Sequence, residues 1–245
     1  MVIFDKIILR MKDQPRISYQ VYLNKRLKSV SFHGIQTAPL YIRLIHNKTP
    51  YYFKSAYFDQ LSRTKHGIQT ILGHQAPVLD QVIALENRIL KDLCDRYASK
   101  FRIETFKQDY YLLSQDMLYA LDGGFQQYMI TFFQDEGFPI LAHLVAEGGK
   151  YCRADQILDD LEKCLTKELF NKLAANAVFY APPYIPLCAF VRNMWKESLS
   201  ILSIHDYQTA NFSSVLEQFV RTNYPKYKYD LIDQYLVKLQ ESLKP

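Results

Sequence analysis

The apolar residues change period once along the chain, and that switch constrains the fold more than any other feature. Ahead of about residue 60 they alternate. Ile17, Tyr19, Val21 and Leu23 fall on one face of a strand; Leu40, Ile42 and Leu44 do the same, with Tyr41 and Arg43 on the other side. This period of two is the signature of a half-buried strand. From Pro77 onward apolar residues return at threes, fours and sevens, as in Leu79, Ile83, Leu90, Leu93 and Tyr97, which is the helical period. The expected fold class is α+β: a small antiparallel β-hairpin sheet at the N-terminus followed by an all-α helical domain.

The two Asn-Lys steps, Asn24-Lys25 and Asn47-Lys48, separate strand-like runs, and Asn tolerates the left-handed turn conformation. They predict hairpins over 17–33 and 40–58, with an additional strand at 2–10. His33–Thr37 recurs letter for letter as His66–Thr70, but at an offset that does not match the spacing of the turns, so no tandem repeat follows. Helices are expected over 77–99 and 105–121, the latter opened by Thr105 and Gln108 as a capping box and stopped by Asp122-Gly123-Gly124. Further helices are expected over 125–135, 139–147, 154–179, 187–203, 213–222 and 229–243, with Ser214 and Glu217 forming a second capping box. The domains are read as 1–75, basic and β-rich, and 76–245, helical. The alternative boundary lies at 122–124, if the first two helices belong with the sheet.

Charge is divided the same way. Residues 1–75 hold twelve Lys or Arg and three Asp, a net +9, whereas the remainder carries a net −4. Such asymmetry points to a polyanion-binding module; basic side chains that merely solvate strands or protect sheet edges are the structural alternative. No apolar run approaches the roughly 18–20 residues of a membrane span, and Asp5 and Lys6 interrupt the apolar start, so no signal peptide is read. Cys94, Cys152, Cys164 and Cys188 are scattered, outside any C-x-x-C pair. They are expected to be reduced, buried small side chains in a cytoplasmic protein.

The chain carries no phosphate loop, dinucleotide fingerprint, nucleophile elbow or H-E-x-x-H. His143 and Glu147, four apart on a helix, supply two ligands where a metal needs three or four. A semi-buried structural histidine is the expectation, with no metal and no cofactor. Pairing Cys188 or Cys164 with His205 has no support from spacing, and Asp155, Asp159, Asp160 and Glu162 are expected on a solvated helix face. No catalytic residue is assigned. Trp195, flanked by Arg192 and Lys196, is expected in the core; a partner-binding anchor built from Arg192 and Trp195 is the alternative.

The stretch from Pro39 to Phe58, PLYIRLIHNKTPYYFKSAYF, resembles the N-terminal arm-type DNA-binding domain of the phage-type integrases (tyrosine recombinases) common in Bacteroidetes. That pattern runs from an apolar strand with Tyr and Arg, through an Asn-containing basic turn, to a strand ending near Ser. A long helix follows, here Leu79–Tyr97, and then a Phe-bearing stretch, here Phe101–Lys107. The resemblance covers about residues 36–115. It departs at the turn, where Asn47-Lys48-Thr49 lacks the usual glycine, and in the extra hairpin at 17–33. It also stops short of catalysis: none of the six histidines is followed by Arg three residues on, so the H-x-x-R of the recombinase domain is missing.

What the resemblance implies is a non-catalytic protein that binds double-stranded DNA. Lys25, Arg26, Lys28, Tyr41, Arg43, Lys48 and Lys54 are the expected contacts, Arg reaching guanine edges and Lys the phosphates. A protein that binds a partner or peptide through the helical domain is the competing expectation.

Overall fold

The structure, a computed structural model, describes residues 17–67, 78–194 and 201–244. The expected strand at 2–10, most of the second His-Gly-Ile-Gln-Thr copy and Trp195 lie outside them. In chain order the elements are β1 (Ser18–Leu23), β2 (Val30–Phe32), β3 (Ile35–Thr37), β4 (Leu40–His46), β5 (Thr49–Lys54), α1 (Ala56–Leu61), α2 (Thr64–Gly67), α3 (Leu79–Tyr97), α4 (Ile103–Leu113), α5 (Met117–Asp135), α6 (Pro139–Gly148), α7 (Ala154–Cys164), α8 (Lys167–Tyr180), α9 (Tyr184–Met194), α10 (Ile204–Tyr207), α11 (Phe212–Asn223) and α12 (Tyr229–Ser242). A small antiparallel sheet ahead of a long run of helices makes the fold α+β. The described residues fall into two compact units, one of residues 17–62 and 78–114, the other of residues 63–67, 115–194 and 201–244.

In the first unit the sheet order is β1-β4-β5, antiparallel throughout, while β2 and β3 pair only with each other. The expected hairpin over 17–33 is therefore corrected: β1 skips β2 and takes β4. The reason lies in the register. Tyr19 stands opposite Leu44, Val21 opposite Ile42 and Leu23 opposite Leu40, so pairing with β4 gathers all the inward apolar side chains on one face. β2 offers one buried residue, Phe32.

Asn47 and Lys48 both take positive φ, 49° and 65°, giving the two-residue turn whose twist suits a hairpin. The second hairpin also ends earlier than expected. Strand β5 stops at Lys54 because Ser55 caps α1, its side chain accepting from the Phe58 N–H. Tyr57 and Phe58, read as strand residues, are buried helix residues instead.

The back of the sheet is covered by α3, which buries Val82, Glu86, Ile89, Leu90 and Leu93, and α4 buries Phe106, Tyr110 and Leu113. The Tyr19 hydroxyl donates to the Asn87 carbonyl, tying β1 to α3. The buried Glu86 carboxyl joins three elements: it accepts from the Ser55 hydroxyl, the Tyr57 N–H at 3.1 Å and the Tyr110 hydroxyl at 2.7 Å. The Tyr110 oxygen in turn accepts from the Ala56 N–H at 2.7 Å. Burial pushes the Glu86 carboxyl up to about 7.

Helix α5 dominates the second unit, packing against α6, α7, α8 and α9. Several expected boundaries move here. The helix expected over 105–121 ends at Leu113, and a new one starts behind Asp116, whose carboxylate accepts from the Leu118 N–H. Thr105 is no capping residue; its hydroxyl donates to the Arg102 carbonyl, and Ser214 likewise donates to Asn211. The helix expected over 154–179 breaks at Leu165-Thr166, where Thr166 caps α8. The one expected over 187–203 starts earlier, as α9 at Tyr184, whose described part reaches Met194; Leu202 lies outside any helix, and α10 begins at Ile204 behind its cap Ser203.

Gly123 and Gly124 do not stop a helix but sit inside α5. The buried stripe Met117, Leu118, Phe125, Met129, Phe132 and Phe133 runs through them, and tertiary packing outweighs the cost of about 1 kcal/mol per interior glycine. A Cβ at either position would meet nothing within 4 Å. Gly123→Ala and Gly124→Ala are each expected to stabilise this unit by about 0.5–1 kcal/mol, read as a thermal midpoint roughly 1–4 °C higher. Among the described residues no single helix is long and apolar enough to cross a membrane.

Candidate nucleic-acid interface

Alternation sends every second side chain of the three-stranded sheet away from α3. Gln20, Arg43 and Tyr52 stand in one cross-strand row, and Tyr22, Tyr41 and Lys54 in the next. Neighbouring strands lie about 4.8 Å apart, so the rows form a close grid of tyrosines, amide and cations. Within it lies a shallow concavity of about 490 Å³, lined by Gln20 and Tyr22 from β1, Tyr41 and Arg43 from β4, Tyr52 from β5, and Asn24 and Arg26 from the loop after β1.

That loop is fixed by Asn24. Its N–H donates to the Pro39 carbonyl, its carbonyl accepts from the Leu27 N–H, and its side-chain oxygen accepts from the Arg26 N–H at 3.3 Å. The turn holds Arg26 beside the sheet.

Along this stretch of the chain the formal charges have one sign, up to Asp59. From Ile17 to Phe58 the chain carries six Lys or Arg and no Asp or Glu. Lys25, Arg26, Lys28, Lys48 and Lys54 are exposed, and Tyr41 and Arg43 are half-buried. Among the described residues none of the six cations makes an ion pair. The Arg43 Nε is shielded from solvent and has no hydrogen-bond partner among them.

Of the residues expected from sequence, the structure brings Arg26, Tyr41 and Arg43 into the concavity and sets Lys54 across from Tyr41 on the same face. Lys25 and Lys28 flank Arg26 in its loop. Lys48 lies at the opposite end of the sheet, in the β4–β5 turn. Sequence reasoning missed Gln20, Tyr22, Asn24 and Tyr52. The signal for two of them was present, since an inward Tyr19, Val21 and Leu23 require an outward Gln20 and Tyr22.

The other expected sites resolve differently. Arg192 turns its guanidinium to Asp155 and Asp159, each at 2.9 Å, and so links α9 to α7. Asp155 is not on a solvated face as expected: it is buried, and Arg153 meets it at 3.0 Å. Its burial opposes the negative charge, but the Arg153 and Arg192 guanidiniums overcome that and hold the carboxyl below its usual range. The neighbouring buried carboxylate, Asp122, accepts from Lys65 at 2.7 Å, the Ala154 N–H at 2.7 Å and the Tyr184 hydroxyl at 2.6 Å.

His143 is exposed rather than semi-buried, and Glu147 pairs with Lys150. No group of three metal-ligating side chains occurs among the described residues. The cysteines are free, but only Cys188 is buried; Cys164 is exposed and the other two are intermediate. Burial pushes the Cys188 thiol well up, away from the reactive thiolate. In comparisons with protein-family models, with curated proteins and with solved structures, the chain has no match.

Proposed function

We propose that the outer face of β1-β4-β5 binds double-stranded DNA without catalysing a reaction on it. The observation that carries this reading is the solvent-facing grid centred on Arg43, with cations at both ends of the sheet and no carboxylate between Ile17 and Phe58. Three strands at about 4.8 Å spacing span roughly 10 Å, and the major groove is about 12 Å wide. Seated there, Arg43 presents a donor fork suited to guanine O6 and N7, and Gln20 beside it suits adenine N6 and N7. Lys25, Arg26, Lys28, Lys48 and Lys54 reach the flanking phosphates, which position the sheet without reading sequence. The tyrosines fill the space between, with hydroxyls that can also reach phosphate. The resemblance to integrase arm-type domains supports the same reading.

The test is fluorescence anisotropy of the full chain on a labelled duplex at several salt concentrations. With about five phosphates neutralised, log affinity should fall against log salt with a slope of roughly −4 to −5. Arg43→Ala should weaken binding by about tenfold or more. Absence of binding at low salt, or affinity indifferent to salt, refutes the proposal.

A further inference from the structure

Between Glu217 and Asp230 the chain holds Arg221, Lys226 and Lys228 and no acid, and its turn from α11 into α12 reads Tyr224-Pro225-Lys226-Tyr227-Lys228-Tyr229. The three tyrosines are half-buried and both lysines exposed. Tyr224 packs edge-to-face on Tyr227 at 5.7 Å, and the Tyr227 N–H donates to the Tyr224 carbonyl, which fixes the turn. Beside it lies a concavity of about 370 Å³ lined by Arg221, Pro225, Tyr227, Lys228, Tyr229 and Asp230. Glu217 holds Arg221 at 2.7 Å, whereas Lys226 and Lys228 make no ion pair among the described residues.

Aromatic rings continue this surface. Tyr227 neighbours Tyr128, whose hydroxyl is pushed above its usual range by burial first and then by Tyr227 and Tyr180. Tyr180 stacks on Tyr128 with ring centroids 6.1 Å apart, and Phe179 precedes it at the end of α8. Phe179 is 79 % exposed and Tyr180 73 %, the highest values among the large apolar side chains of the described residues. The lysines and the bare rings therefore belong to one surface of the helical unit, joined through Tyr128 and Tyr227.

We propose that this surface binds a single strand of DNA, with Lys226 and Lys228 on its phosphates and Tyr180 and Phe179 stacked on its unpaired bases. Charge selects the occupant. Two lysines without countercharges, on a stretch free of acids, call for a polyanion. The rings select the form of that polyanion, because a single strand offers the base faces that a duplex keeps inside its stack. Asp230, at the rim of the concavity, is the one carboxylate among its lining residues, and the two lysines outweigh it. The site lies in the unit without the sheet and does not rest on the reading of the sheet face.

The test is anisotropy of the full chain on a labelled thymidine oligonucleotide of about 15 residues, long enough to cover such a site. Stacking and phosphate contacts separate because stacking releases no counterions. The double variant Phe179→Ala, Tyr180→Ala should lose about tenfold or more in affinity with the salt slope unchanged. Lys226→Ala with Lys228→Ala should make the slope shallower by about 1.4; both lysines stand in water, so this pair decides the matter if the ring variant proves unstable. Arg43→Ala should stay within twofold of the parent. No binding of the parent at low salt, or ring and lysine variants that bind within twofold of it, overturns the proposal, whether or not duplex binds the sheet. An equal loss in Arg43→Ala would move the strand to the sheet, and tenfold tighter binding of the matching uridine oligonucleotide would assign the site to RNA; either result also overturns it. A chain that binds the thymidine strand but no duplex keeps this site and loses the sheet reading.

Discussion

Glu86→Ala is expected to destabilise the sheet-bearing unit by about 3–5 kcal/mol, comparable to the whole stability of a small domain. The substitution strands the Ser55 and Tyr110 hydroxyls and the Tyr57 N–H in the core, and each buried donor left unpaired costs about 1–3 kcal/mol. Urea unfolding measures the loss; a change under 1 kcal/mol would show that the network contributes little.

The same carboxyl makes stability depend on pH, and the sign follows from its direction of shift. Its folded value of about 7 lies above the ordinary carboxylate value of 4.5, so between those values the native state binds the proton that the unfolded chain releases. Stability from this group is greatest below about pH 4.5 and declines as pH rises through 7, by about 3 kcal/mol in total. Glu86→Gln should remove that decline, because the amide keeps an acceptor for Ser55 and Tyr57 yet cannot ionise. A Glu86→Gln protein with the same pH profile as the parent would locate the titration elsewhere.

The second large effect lies in the helical unit. Asp155 neutralises Arg153, which is only 3 % exposed, and shares Arg192 with Asp159. Asp155→Ala removes the carboxylate that the buried Arg153 meets at 3.0 Å, and breaking a buried pair from one side typically costs about 3–5 kcal/mol. Arg192→Ala should cost far less, about 1 kcal/mol, since its side chain is partly in water and Arg153 still serves Asp155. Equal costs for Asp155→Ala and Arg192→Ala in thermal unfolding would contradict this ordering.

These two clusters mark the limit of what the sequence discloses. Local signals read well. The alternation of Leu40, Ile42 and Leu44 and the Asn47 turn place β4 and β5, Pro139 opens α6 where expected, and the outward Tyr41 and Arg43 follow from the same alternation. Long-range partnerships do not. Glu86 meets Ser55 and Tyr110 across separations of 31 and 24 residues, and on its own helix it looks like any surface glutamate. Asp155 reads as one of several acids on an amphipathic helix because Arg192, its outer partner, lies 37 residues away. β1 passes over the nearer β2 for β4, a choice made by the shared apolar face rather than by chain proximity. Gly123-Gly124 misleads in the opposite sense: a strong local stop signal is overridden by the aromatic stripe on either side of it.

Lys48 sits in the left-handed backbone conformation that residues with a side chain adopt at a cost of roughly 1–2 kcal/mol, at the spot where a glycine would rest without strain. A library screened for heat resistance alone would therefore be drawn towards glycine here, and the sturdier protein it returned would have surrendered the cation of the β4–β5 turn. Durability and attraction for a polyanion are in conflict at this single residue.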